Sequence, residues 1–220
     1  MNRIDLLASL CKGSNIVCDV GCDHGYVLIK AILDYNVSKG IACDIAEEPL
    51  NMAKKNISYY NLHDKIKVLK SDGFKEVNDD FDCAIIAGMG GHLIVDILKS
   101  SLDKIKNKKL ILQPNSDRDK VRFFLSQNGF KIIDEYSFTD QKKYYEIIVA
   151  SEGIEYLSRN DCIYGPILQK KKTNDFIMHY QNKLIILKKA ITNMNDNIEK
   201  QKLISEIAEI AAIIERKDNE

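Results

Sequence analysis

The stretch Val17-Cys18-Asp19-Val20-Gly21-Cys22-Asp23-His24-Gly25-Tyr26 constrains the fold more than any other part of the chain. An apolar run of strand character, Asn15 to Val20, ends in Asp-x-Gly-x-Asp-x-Gly. It then passes into helical periodicity from about Tyr26 to Asp34. Gly21 and Gly25 permit a tight turn and close ligand approach, and the helix start behind them offers unpaired N–H groups. The pattern is not Gly-x-Gly-x-x-Gly, because Asp23 holds the second glycine position. A carboxylate there repels the pyrophosphate that a dinucleotide site must hold.

Further strand-like runs follow at Gly40–Asp44, Lys67–Lys70, Phe81–Ile86 and Leu110–Leu112, with helical spacing between them. Pro49 sits where a first helical turn tolerates proline, ahead of Leu50, Ala53, Ile57 and Tyr60. Ser116 and Asp119 read as a capping box, with Gly129 placed to close that helix. Such alternation predicts an α/β fold, a Rossmann-like doubly wound sheet that is mostly parallel. Runs near Ile132-Ile133 and Tyr145–Val149 have no helix between them, which predicts a hairpin and one antiparallel edge strand.

Beyond Ser151 the period changes. Ile177, Tyr180, Leu184, Leu187 and Ile191 form one seam, and Leu203, Ile207, Ile210 and Ile214 a second, separated by a polar break at Asn193 to Asn197. These predict an antiparallel helical hairpin of coiled-coil type whose seams face each other alone. The domain division expected is therefore 1–151 and 152–220.

The whole chain balances 32 basic against 32 acidic residues, so any nucleic acid must be met by a local basic patch. One candidate patch exists. Gly165 to Lys202 carries eight lysines against three acids, including Lys170-Lys171-Lys172 just before the hairpin, and suits RNA phosphates. No apolar run reaches the length of a membrane span, and the start of the chain lacks a signal-peptide pattern. The six cysteines form no C-x-x-C pair and no zinc spacing, so no metal is expected. Cys18, Cys43 and Cys83 lie in apolar runs and read as core; Cys22 lies in the glycine turn. A soluble, cytoplasmic protein is expected, acting as a monomer.

Three more features share the rim with the glycine turn. Asp44 ends the second strand, near the offset at which an acid takes a ribose hydroxyl pair. Asp72-Gly73 ends the third, where a carboxylate accepts from an adenine amino group. Ala87-Gly88-Met89-Gly90-Gly91 follows the fourth and leaves backbone bare. All lie at carboxyl ends of predicted strands, where open α/β sheets bind ligands. With Asp23 suited to a sulfonium, they point to S-adenosylmethionine (SAM).

Together with Arg3, Leu112-Gln113-Pro114-Asn115 and Tyr164-Gly165-Pro166, these motifs make a specific combination. Over essentially its whole length the chain resembles the bacterial tRNA (adenine(22)-N1)-methyltransferases, class I SAM-dependent enzymes with a C-terminal coiled coil. It departs mildly: Gly25 stands for a usual alanine, Val27 to Ile29 lacks a usual proline, and Asp44 replaces a frequent glutamate. The resemblance implies SAM as methyl donor and tRNA as partner, with the C-terminal hairpin contacting the RNA. It implies Asp19, Gly21, Asp23, His24 and Gly25 at the cofactor, then Asp44 and Ile45, Asp72 and Gly73, and Ala87, Gly88 and Met89. It places Asp23, Met89 and Asn115 at the reaction, and Arg3, Tyr26, Asn115 and Lys170 to Lys172 on the substrate.

Adenine N1 has a free lone pair, so no side-chain base is needed, and none of the kind that serves exocyclic amines is present. Alignment alone can supply roughly 7–11 kcal/mol of the barrier. The product is a cationic adenine, which a carboxylate such as Asp23 would favour. N1 lies on the Watson–Crick edge, so the base must be unpaired or flipped outward, and Tyr26 could stack on it. Arg3 suits either a methionyl carboxylate or a phosphate. His24 reads as a loop hydrogen-bonding residue and His92 as a cap neighbour. Two other classes stay open here: a small-molecule methyltransferase with a dimerisation hairpin, and a non-catalytic binding module.

Overall fold

The apolar runs form strands because each must be buried on both faces between layers of amphipathic helices. The computed structural model describes residues 2–192 and 194–215. In chain order, α1 (Arg3–Leu10) precedes β1 (Ile16–Val20), α2 (Tyr26–Asp34), β2 (Lys39–Asp44), α3 (Glu47–Tyr59) and β3 (Ile66–Lys70). Then come β4 (Cys83–Met89), α4 (Gly91–Lys99), α5 (Leu102–Ile105), β5 (Lys109–Pro114), α6 (Arg118–Gln127), β6 (Phe130–Asp140) and β7 (Lys143–Glu152). Only helices follow: α7 (Arg159–Tyr164), α8 (Leu168–Lys171), α9 (Asn174–Thr192) and α10 (Ile198–Glu215). Asn193, first residue of the expected polar break, lies outside the described residues.

The seven strands are ordered β3-β2-β1-β4-β5-β7-β6. The first five run parallel. β7 pairs antiparallel with both β5 and β6, so the hairpin closes this edge, and the reversed strand is one place in from it. Strand order reverses between β1 and β4, which opens the crevice where such sheets take ligands. One core layer joins α1, α2 and α3 to the sheet through Leu7, Leu28, Ala53 and Ile57. The other joins α4, α5 and α6 through Ile94, Leu98, Ile105 and Leu125. Cys18, Cys43 and Cys83 are fully buried in these layers, as expected.

Three local expectations need correction. β4 runs on through Met89, with an irregularity between Ala87 and Met89, so the start of the expected glycine loop is strand. Pairing with β5 holds this stretch in line. The Ser116–Asp119 capping box does not form: Ser116 Oγ donates to Asp117 Oδ2 at 2.7 Å, and Asp117 itself takes the N-cap with φ 50°. Gly129 does close the helix, at φ 80°. Finally, the α9–α10 seams do not meet each other alone. Tyr180 and Ile210 share a cluster with Tyr164 and Leu168, and the His179 ring stacks on Tyr144 of β7 at 3.9 Å.

The segment from α7 to α8 is tied to the sheet by buried charge. Arg122 of α6 donates to Glu135 of β6 at 2.7 Å and to Glu146 of β7 at 2.6 Å, all three side chains fully buried. Arg122 also donates to the Cys162 carbonyl at 3.0 Å, while Glu135 accepts from the amides of Ile167 and Leu168. Gly165 passes over this cluster at φ 83°, where a Cβ would lie 2.6 Å from Glu135 Oε2. That contact explains the glycine of Tyr164-Gly165-Pro166.

Candidate active site

The site begins at the end of β1. The amides of Gly21 and Cys22 both donate to the Cys43 carbonyl, at 2.8 and 3.0 Å, so the turn is fastened to β2. Fastening it leaves Gly21 and Gly25 at φ 74° and forces Asp23 to φ 49°, a region side chains rarely adopt. Burial pushes the Cys22 thiol up, which makes it a poor nucleophile.

Arg3 and Leu7 of α1 meet Asp19, Gly21, Asp23, His24, Tyr26 and Ala87 around a cavity of about 90 Å³. Asp19 is 3 % exposed. Burial raises its carboxyl from 3.8 to about 7 against the pull of Arg3, and Asp44 and Asp23 add to the rise. Arg3 Nε is buried without a partner among the described residues, and its Nη2 lies 2.7 Å from where a Cβ on Gly88 would sit. The cavity therefore sets the Arg3 guanidinium beside the carboxylates of Asp19 and Asp23.

Around it, Asp23 is largely exposed, with Oδ1 3.4 Å from His24 Nε2. The His24 carbonyl accepts from Asn56 Nδ2 at 2.9 Å, a backbone bond that ties the loop to α3. Tyr26, first residue of α2, is 42 % exposed at the cavity wall. Asp44 accepts from the Ala46 amide at 3.0 Å, and Ile45 beside it is exposed. Asp72 pairs with Lys75, and Gly73 turns at φ 60° against Ile97.

Met89 and Asn115 are placed by β4 and β5. Met89 reaches back over the turn, its Cε 2.2 Å from a Cβ built on Gly21. The Asn115 amide donates to the Met89 carbonyl at 2.7 Å, and its Nδ2 to the Gly88 carbonyl at 2.6 Å. Gln113 in turn donates to Asn115 Oδ1 at 3.1 Å. Asn115 thus latches the end of β4. Gly91 completes the latch: its amide donates to the Ser116 carbonyl, and a Cβ there would lie 2.4 Å from the Asp117 carbonyl oxygen. Neither carbonyl can swing aside as a side chain would, so Gly91→Ala is expected to displace the latch. Steady-state assays should show kcat lowered by about 10²-fold, with the cofactor affinity nearly unchanged.

The lysine cluster divides. Lys171 pairs with Asp134, donates to the Glu135 carbonyl at 2.9 Å and lies 4.4 Å from the Tyr136 ring centroid. It is a contact of α8 on β6, with 36 % of its side chain still exposed. Lys170 is exposed on α8, and Lys172 ends that helix at φ 43°. His92 faces Lys120 at 2.6 Å, outside the cavity. No group of three metal-ligating side chains occurs among the described residues, nor a helix long and apolar enough to cross a membrane.

Residues 17–219 match the family model for tRNA (adenine(22)-N(1))-methyltransferase. The chain belongs to this family. A tRNA (adenine(22)-N(1))-methyltransferase of Bacillus subtilis is 31 % identical over 190 residues, covering 83 % of this chain and 80 % of that one. The crystal structure of the B. subtilis m1A22 tRNA methyltransferase superposes with TM-score 0.83 at 28 % identity, over 97 % of this chain and 98 % of that one. Sp1610 of Streptococcus pneumoniae, solved with SAM, gives 0.88 at 34 % identity over 96 % and 98 % of the two chains. The M. capricolum family member was solved with S-adenosyl-homocysteine and gives 0.86 at 25 % identity, over 97 % of each chain.

In this tRNA (adenine(22)-N(1))-methyltransferase family member the buried Arg122–Glu135–Glu146 cluster, which lies away from the cavity, was not read from the sequence. A lone Glu146 inside the apolar run Tyr145–Val149 was the available sign of a buried ion pair.

Proposed function

We propose that this chain transfers the methyl group of SAM to N1 of adenine 22, in the D-arm of tRNA. The observation that carries this reading is the match to the tRNA (adenine(22)-N(1))-methyltransferase family across residues 17–219. Its chemistry agrees with the cavity. SAM ends in an amino acid, with one ammonium and one carboxylate, and the buried Asp19 and the unpartnered Arg3 Nε match them in sign. Gly21 and Gly88, where a Cβ would collide with Met89 and Arg3, let those two side chains close over the turn beside the ligand.

Asp19 and Arg3 hold the amino-acid end, His24 and Gly25 shape the turn over it, and Asp44 takes the ribose. Ile45, Asp72 and Gly73 form the adenine side. When bound, SAM supplies a methyl carbon activated by the adjoining sulfonium. Ala87, Gly88 and Met89 present bare backbone and one apolar side chain to the place of transfer, which keeps water out. Asn115 acts as a positioning residue, since it fixes the end of β4 through two hydrogen bonds. Asp23 is the carboxylate left to favour the developing positive charge on adenine, and Tyr26 the ring on which the extruded base stacks. Residues 1–151 form the methyl-transfer unit and residues 152–220 the tRNA-contacting unit, where Lys170 and Lys172 face phosphates. The enzyme works as a monomer in the cytoplasm.

Incubation with SAM and unmodified tRNA is expected to create a single reverse-transcription stop at adenine 22. Intact SAM binding without such a stop would overturn the assignment.

A further inference from the structure

The β6–β7 hairpin reaches past the rim of the sheet. β5 ends at Pro114, and its pairing with β7 at Leu112–Ile148, continued three residues, brings Tyr145 level with Asn115. β6 and β7 stay paired beyond that point, to Asp140–Lys143, and turn through Gln141 and Lys142 at φ 47° and 65°. The tip therefore stands as a wall beside the mouth of the cavity.

Strand alternation decides what this wall presents. Tyr145 shares the face of Ile147 and Val149, which pack with Leu7 of α1, and its nearness to Arg3 of α1 agrees. Its ring lies 5.4 Å from that of Phe138, stacked at 19°. Arg3 Cζ lies 6.0 Å from the ring centroid and Lys143 Nζ 5.2 Å from it. The same Arg3 guanidinium overhangs Gly88 at the cofactor cavity, its Cζ 3.6 Å from a Cβ built there. Tyr145 is thus half-buried one arginine's breadth from the place of methyl transfer, yet it does not line the cavity. Lys142 and Lys143 are exposed, and no carboxylate pairs with either among the described residues; Asp140 is the one acid at the tip.

We infer that Tyr145, flanked by Arg3 and Lys143, is a stacking ledge for the nucleobase next to the target adenine, while Lys142 and Lys143 take the adjoining phosphates. Phe138 already stacks on the Tyr145 ring, so a base takes the remaining face, from which the Arg3 and Lys143 cations over the ring move to the nucleotide backbone. The inference rests on the tRNA-methylating reading above.

Steady-state kinetics with unmodified tRNA test it, with SAM affinity by calorimetry as the check on folding. Tyr145→Ala is expected to raise the KM for tRNA by roughly tenfold or more, with SAM affinity unchanged. Tyr145→Phe should stay within about twofold of the wild type, since the ring is kept. The pair Lys142→Ala and Lys143→Ala should flatten the salt dependence of tRNA binding by about one to two in log–log slope. A wild-type KM in Tyr145→Ala overturns the ledge. Where that variant loses SAM binding as well, the lysine pair decides, and an unchanged salt slope overturns it. A wild-type protein that binds SAM but modifies no tRNA overturns the underlying reading, and this inference with it.

Discussion

Asp19→Asn is expected to make the protein more stable and nearly unable to bind SAM. The carboxyl is buried, and burial holds it at about 7 although Arg3 pulls it down. An unfolded chain releases this proton near 3.8, whereas the folded one keeps it to about 7. Between those values the folded state binds more protons, so this group's contribution to stability falls as pH rises and levels off above 7. At about 1.4 kcal/mol per tenfold change, the ionised carboxylate costs on the order of 4 kcal/mol in the ligand-free protein. Asparagine removes that cost, and urea unfolding at pH 8 should show a gain of this order at most. The same ionised group is what a cationic ligand selects. SAM affinity of the wild type should therefore be about tenfold weaker at pH 6 than at pH 8, and Asp19→Asn should lose both the affinity and the slope. Calorimetry showing equal binding at the two pH values would remove Asp19 from the cofactor site.

Arg122→Ala carries the other large effect. It would leave Glu135 and Glu146 buried with their main counter-charge gone, Arg118 standing 3.7 Å from Glu146 Oε1 as a weak substitute. Loss of one partner from a buried pair costs about 3–5 kcal/mol. Burial already pushes the Glu135 carboxyl up, and without Arg122 it would rise further. The protonated form is then favoured at lower pH, so the loss should be larger at pH 8 than at pH 5. Chemical denaturation at both values checks this. A loss below about 1 kcal/mol at pH 8 would mean that the cluster does not hold the α7–α8 segment to the sheet.

Much of the fold could be read in advance because burial on a two-layered sheet writes a local signal. β1, β2 and α2 follow the apolar runs within a residue or so, since each run must reach from one edge of the core to the other. The α9–α10 hairpin showed itself in the same way, through spacing that only a helix satisfies. Misjudged features were those in which a distant partner competes with the local pattern. Ser116 reads as a helix cap until Gly91 and Met89 claim the backbone around it. The glycines after Ile86 read as loop until pairing with β5 extends the strand through Met89. Lys171 reads as one of three solvated lysines until Asp134 and Tyr136 take it up.

The amino-acid sequence by itself determined the layered, mostly parallel sheet and the acid-for-glycine turn, because periodicity and backbone freedom are local properties. The tertiary structure alone decided which carboxylate is buried. Asp19 and Asp23 are both acids beside a glycine, but the first lies under α1 with Arg3 over it and the second stands in solvent. It also decided that Tyr145 stands at the mouth and that Arg122 joins sheet to helices. Burial, and the low dielectric that comes with it, is set by what the rest of the chain places around a residue.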